Sequence, residues 1–179
     1  MYESKNPVIF ILSGKAESGK DELCNTIINY YKEKKVKKVS YAYYLKKYVQ
    51  DISGWDGKEE NKPRELLQTF GISFLKNQID DKLLIRRTME DVKVYSYFYD
   101  IIIITDARLK EEIEVPKTLF QKTYTIRINR NHHQSKLTEI EKSHITEIGL
   151  DDYPDFDFII QNEGQDLSKE VKKIMEAIK

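Results

Sequence analysis

The apolar run Val8-Ile9-Phe10-Ile11-Leu12 leads, after one serine, into Gly14-Lys15-Ala16-Glu17-Ser18-Gly19-Lys20-Asp21. A continuous apolar run of this length reads as a strand buried on both faces. Residues 20–31, which follow, read as a helix. Strand, glycine-bearing loop and helix in that order form the context that a phosphate-binding loop requires. Gly14 and Gly19 let the backbone curl until its N–H groups point inward at phosphate oxygens. The helix start adds the positive end of its dipole, and Lys20 is placed to reach the outer phosphates of a nucleoside triphosphate. The competing reading is a strand-to-helix turn that binds nothing, and the agreement of spacing, strand and helix stands against it. Two letters are unusual for an anion cradle. Asp21 occupies the place where a Ser or Thr hydroxyl commonly holds Mg²⁺. A carboxylate there is tolerable if Mg²⁺ or a metal-bound water lies between it and the phosphates, and Asp also suits the first turn of a helix. Glu17 is expected to point outward.

The rest of the chain alternates short apolar runs with longer amphipathic stretches. Strands are expected at residues 36–41, 101–104, 124–128 and 156–160. Helices are expected at 45–52, over 62–91 in two pieces, and at 166–178, where Leu167, Val171, Ile174 and Met175 share a face. This alternation argues for an α/β fold with a mainly parallel sheet, whose ligands sit at the carboxyl ends of the strands. A length of 179 residues fits one domain. Thirty basic and thirty acidic residues cancel, so no global field draws the chain to nucleic acid or membrane, and any anion site must be local. One cysteine, Cys24, excludes an intramolecular disulfide, and the longest apolar runs are too short to span a bilayer. A cytoplasmic protein is the expectation, with a homodimer as one assembly open to it.

Other strand ends carry chemistry. The run at 101–105 ends in Asp106-Ala107-Arg108. An Asp there can hold Mg²⁺ or its water, or it can cap the helix expected near Leu109. Arg108 could neutralise a phosphate or pair with Asp106. Arg64 and Gln68, one turn apart on a helix begun by Pro63, can grip a phosphate and a base edge, or form a solvated face. Arg127 and Arg130 close the strand before a polar stretch at 131–136, as suits a lid over transferring phosphates. His132 and His133 lack a third ligand nearby and read as lid residues. Ser143-His144-Ile145-Thr146-Glu147 opens a short helix, where a polar cap and a direct catalytic role both fit.

Taken together, these features resemble the deoxynucleoside monophosphate kinases of the phage type. Ser18-Gly19-Lys20-Asp21 matches that family's loop, including the aspartate that breaks the general motif. Ser40-Tyr41-Ala42 with Leu45-Lys46, then Arg64, Leu67, Gln68 and Gly71, then Asp106-Ala107-Arg108 with Glu112, match further segments in order. So do His144 to Glu147 with Leu150-Asp151, and Asp157 to Ile160 with Asn162-Glu163-Gly164. The resemblance implies a P-loop kinase sheet of five strands in the order 2-3-1-4-5. It also implies a helical acceptor region over about residues 45–95 and a lid over about 129–147. ATP and Mg²⁺ would be cosubstrate and cofactor, and a deoxynucleoside monophosphate the acceptor. Residues 14–21 with Asn162 and Gly164 would bind ATP, and Asp21 and Asp106 would place Mg²⁺. Tyr41, Arg64, Gln68, Arg108, His144 and Glu147 would meet the acceptor. Lys20, Asp106, Arg108, Arg127 and Arg130 would serve the transfer itself. Glu17 stands where the family is often basic, and residues 131–142 have no clear counterpart. Animal phosphomevalonate kinases share the loop and the Asp-x-Arg strand end, but Arg64 to Gln68 favours the nucleotide kinases. A module that binds or hydrolyses ATP without a phosphoryl acceptor is the alternative from a different class.

Overall fold

The computed structural model describes residues 3–130, 138 and 143–178. Its five strands are β1 (Val8–Ser13), β2 (Val36–Val39), β3 (Ile101–Ala107), β4 (Thr123–Asn129) and β5 (Phe158–Gln161). All four pairings are parallel and the strand order is β2-β3-β1-β4-β5. Parallel neighbours need helical crossovers. These are α1 (Lys20–Tyr30), α2 (Ala42–Ser53), α3 (Arg64–Thr69), α4 (Leu83–Tyr95), α5 (Lys110–Leu119) and the short α6 (Ile145–Ile148), and α7 (Ser168–Ala177) follows the last strand.

Successive side chains of a strand point to opposite faces, and β1 and β3 divide accordingly. Phe10, Leu12, Ile101 and Ile103 pack with Leu23, Cys24 and Ile27 of α1 and Val171, Ile174 and Met175 of α7. Ile9, Ile11, Ile102 and Ile104 pack with Ile85, Met89 and Val92 of α4 and Ile113 of α5. The result is a sheet between two helical layers, which explains why residues 8–12 of β1 and 101–104 of β3 are continuously apolar rather than alternating. Phe10 is wholly buried. Phe10→Ala is expected to cost about 3–5 kcal/mol of stability, measured as a lowered urea midpoint at unchanged slope; a loss below about 1 kcal/mol would contradict this core assignment.

Several boundaries differ from the sequence expectation, each for a tertiary reason. β2 stops at Val39 because Ser40, Tyr41 and Ala42 turn toward the carboxylate of Asp106. The helical stretch after residue 62 begins as α3 and widens into a π-helical segment, Phe70–Ile79. It breaks at Asp80, whose carboxylate accepts from the Lys82 N–H and pairs with Arg86. Gly71 lets α2 approach this segment, since a Cβ there would lie 3.1 Å from Leu45 Cδ2. Among the described residues no helix is long and apolar enough to cross a membrane. His132, His133 and most of the expected lid lie outside the described residues.

Candidate active site

β1 delivers the glycine-bearing loop at the carboxyl edge of the sheet. Gly19 caps α1 with φ 102°, in the left-handed region, and a Cβ there would fall 2.3 Å from Asn162 Nδ2. A Cβ on Gly14 would meet Ile128 O and Ser18 Oγ, each at 2.5 Å. Glycine is therefore required at both positions by space. Lys20 folds back across the loop, its Nζ donating to Gly14 O at 2.7 Å and Lys15 O at 2.6 Å. Burial, reinforced by the positive charge of Arg108, pulls the Lys20 ammonium down to about 7, against the opposing charges of Glu147, Asp21 and Asp106. Ser18 Oγ is buried without a hydrogen-bond partner among the described residues. A buried polar atom of this kind calls for an absent ligand or water. Asn162, from the end of β5, holds the loop from below: its amide donates to Ser18 O at 3.0 Å and accepts from Gly164 N at 2.9 Å.

Asp106 closes β3. Its Oδ1 accepts from Tyr41 N at 2.8 Å, and its Oδ2 from Ser40 Oγ at 2.6 Å and Ala42 N at 3.0 Å. It thus caps α2, not the helix after Leu109. That helix, α5, is capped by Glu112, whose Oε2 accepts from Arg108 N at 2.6 Å and Leu109 N at 3.1 Å. Burial pushes the Glu112 carboxyl up to about 7, helped by the charge of Asp106 and opposed by those two N–H donors and Arg108. Tyr41 is buried, and its hydroxyl donates to Glu112 O at 2.7 Å.

Arg108 reaches across to α6. Its Nη1 lies 2.8 Å from Glu147 Oε1 and 3.2 Å from Thr146 O. The other oxygen of Glu147 accepts from Ala16 N in the loop, at 3.0 Å. Four residues on, Asp151 pairs with Lys15 Nζ at 2.6 Å and Arg127 Nη2 at 2.9 Å. Two carboxylates therefore sit on loop and arginine donors of the kind that bind phosphate. Arg127 is buried, donating also to Ser13 Oγ at 3.0 Å, so it braces β1 against β4. Arg130 is exposed, 3.5 Å from Glu17 O. His144 caps α6 through Nδ1, which accepts from Thr146 N.

Two cavities flank this cluster. One, about 280 Å³, lies among α2, α3, the π-helical segment and the end of β3; Tyr41, Gln68, Asp106, Arg108 and Glu112 line it. The other, about 430 Å³, runs from the loop along β4, past Lys15, Ser18, Arg127, Arg130, Tyr153 and Phe156. Arg108 lines the first and Ala16 the second, and Glu147 bridges them. Arg64 is not brought to the first cavity; it is exposed, 3.6 Å from Glu59. Lys46, Lys62 and Lys76, to which sequence reading assigned no role, line that cavity. Asp21 stands exposed in the first turn of α1. Among the described residues no three His, Cys, Asp or Glu side chains cluster as a metal site.

A parallel 2-3-1-4-5 sheet carrying this loop defines a P-loop kinase. The Aquifex aeolicus vf5 shikimate kinase superposes with a TM-score of 0.55 at 14% identity, covering 96% of both chains. The Bacteroides thetaiotaomicron shikimate kinase gives 0.55 at 13%, covering 96% of this chain and 98% of the other. A Mycobacterium tuberculosis APS kinase CysC, solved in complex with AMPPNP and APS, gives 0.54 at 9%, covering 95% and 96%. At such identities the likeness is one of fold. A search of curated protein sequences returns no match. The family model "Deoxynucleotide monophosphate kinase" matches residues 36–174, most of the chain, and the protein belongs to that family. It is an ATP-dependent phosphotransferase acting on a small molecule.

Proposed function

We propose that the protein transfers the γ-phosphoryl group of ATP to a phosphate oxygen of a (deoxy)nucleoside monophosphate. The observation that carries this reading is the pair of cavities meeting at one charged cluster of Ala16, Arg108 and Glu147. Phosphoryl transfer needs two phosphate-bearing substrates in line and neutralised charge, more than it needs a base. The loop amides and Lys20 hold the outer phosphates of ATP, with the base toward Asn162 and Gly164. Arg127 and Arg130 add positive charge along the donor cavity. Tyr41 and Gln68 shape the acceptor cavity, and Arg108 neutralises the acceptor's phosphate. His144 and Glu147 set the base of a lid over about residues 129–147, and residues of about 45–95 form the acceptor region.

Mg²⁺ fits the donor set. Asp21 and Asp106, whose charges both act on Lys20, would place the ion beside the outer phosphates that Lys20 holds. Asp106, already accepting three hydrogen bonds, would reach the ion through water. When bound, Mg²⁺ supplies charge neutralisation on the phosphates. The reading places the protein in the cytoplasm, with small molecules as partners.

A coupled assay over a panel of nucleoside and deoxynucleoside monophosphates tests it. ADP release that depends strongly on one monophosphate is expected. Phosphorylation of phosphomevalonate alone, or ADP release indifferent to any acceptor, would replace the reading by a mevalonate-type kinase or by an ATP-hydrolysing module.

A further inference from the structure

The acceptor cavity has cations in places the helical motif Arg64–Gln68 does not indicate. Gln68 lines the cavity, but the Arg64 side chain is 47% exposed and lies outside it. Lys62, two residues earlier, lines the cavity with its side chain only 18% exposed. Lys46, on the second turn of α2, lines it too. Lys62 Nζ lies 2.7 Å from Glu59 Oε1, a carboxylate on a side chain that is 66% exposed. The positive charges of Lys62, Lys46 and Arg64 all act on Glu59.

Three of the cavity's four carboxylates, all but that of Asp81, are engaged elsewhere. Asp106 caps α2, Glu112 caps α5 and Asp80 pairs with Arg86. Glu59 is the carboxylate that pairs with Lys62, and its exposure leaves it room to swing into solvent. Lys62 is also held in place. Its carbonyl accepts from Arg64 N at 2.9 Å, and Pro63 fixes the backbone that follows it. Exposed ion pairs contribute little, so exchanging Glu59 for a dianionic phosphate costs little and gains a second charge.

We propose that Lys62, with Lys46, holds the phosphate of the monophosphate acceptor, that Glu59 is the internal anion this phosphate displaces, and that Arg64 is not the group that binds it. This rests on the kinase reading above. The acceptor phosphate then lies between the lysine pair and Arg108, which lines the same cavity. A neutral acceptor would leave the lysines with Glu59 and gain nothing.

The test is steady-state kinetics on the full chain with the four 2′-deoxynucleoside 5′-monophosphates as acceptors, ATP and acceptor varied separately. Lys62→Ala is expected to raise the KM of the best acceptor at least tenfold, leaving the KM for ATP within about twofold. Lys62→Arg should recover most of that loss, and Lys46→Ala should raise the same KM. Glu59→Gln should lower it, an effect that a merely structural ion pair does not produce. Arg64→Ala should change it less than threefold. If Lys62→Ala leaves the acceptor KM unchanged, or Arg64→Ala alone raises it tenfold, the inference fails while the kinase reading stands. If the unaltered protein phosphorylates none of the four and no ribonucleoside monophosphate either, the reading it rests on fails, and the inference with it.

Discussion

Replacing Lys20 with alanine is expected to lower kcat/KM about a thousandfold, the scale of losing a preorganised charge at a transferring phosphoryl group. The side chain is held in wait rather than extended, its ammonium clamped on the carbonyls of Gly14 and Lys15. Phosphate oxygens are stronger partners than those carbonyls, so ligand binding should draw it off them. Lys20→Met keeps the aliphatic bulk and isolates the charge. Both variants should fold, with thermal midpoints near that of the parent, and both should bind an ATP analogue weakly in titration. Undiminished affinity together with undiminished turnover would contradict the assignment of the loop.

The same group sets a pH dependence whose sign follows from its surroundings. Burial is the main influence, and Arg108 adds to it, so Lys20 in the ligand-free protein titrates near 7 instead of 10.5. At pH 8 most of the free protein therefore carries Lys20 neutral. A polyphosphate favours the charged form, so binding above pH 7 takes up a proton and affinity falls as pH rises. Calorimetry of an ATP analogue at pH 8, in two buffers of different ionisation enthalpy, should report this uptake. It should be absent in Lys20→Met. Equal uptake in parent and variant would assign the proton to another group.

Much of this fold is written in its apolar runs. β1 and β3 read as buried strands because both faces are covered, and alternation could not have hidden them. The loop was equally legible, since Gly14, Gly19 and Lys20 are local requirements of a local structure. What was not legible depends on partners distant in sequence. Asp106 and Glu112 are both acids near a helix start, and nothing local says that the first caps α2 and the second α5. Arg64 and Gln68 share a face by spacing, yet only Gln68 reaches the cavity, because the long arginine side chain turns back toward Glu59. The pair Glu147 and Asp151 did carry a readable signal, two carboxylates one turn apart following a lid-like stretch. Their engagement with Ala16, Lys15 and two arginines needed the tertiary structure to be seen.

Arg108 is where that tertiary arrangement has its largest consequence after Lys20. It stands at the end of β3, positioned by a backbone N–H that donates to the buried Glu112, and it lines the cavity proposed for the acceptor while pairing with Glu147. Arg108→Ala is expected to lower kcat/KM by about a hundredfold to a thousandfold. In the proposed arrangement it removes a charge near the acceptor's phosphate, and it leaves Glu147 on the loop amide without its cation. Arg108→Lys should recover only part of the loss, because Nη1 alone serves both Thr146 O and Glu147, and a lysine that takes over those contacts has no second nitrogen to offer a phosphate. A structural role alone would also depress activity, so a second readout is needed. Arg108 is one of the charges that pull Lys20 down. Without it, Lys20 stays protonated to higher pH, and proton uptake on binding the ATP analogue at pH 8 should shrink. Lost activity with unchanged proton uptake would mean that Arg108 acts on the acceptor side alone, and that the coupling between the two cavities drawn here is wrong.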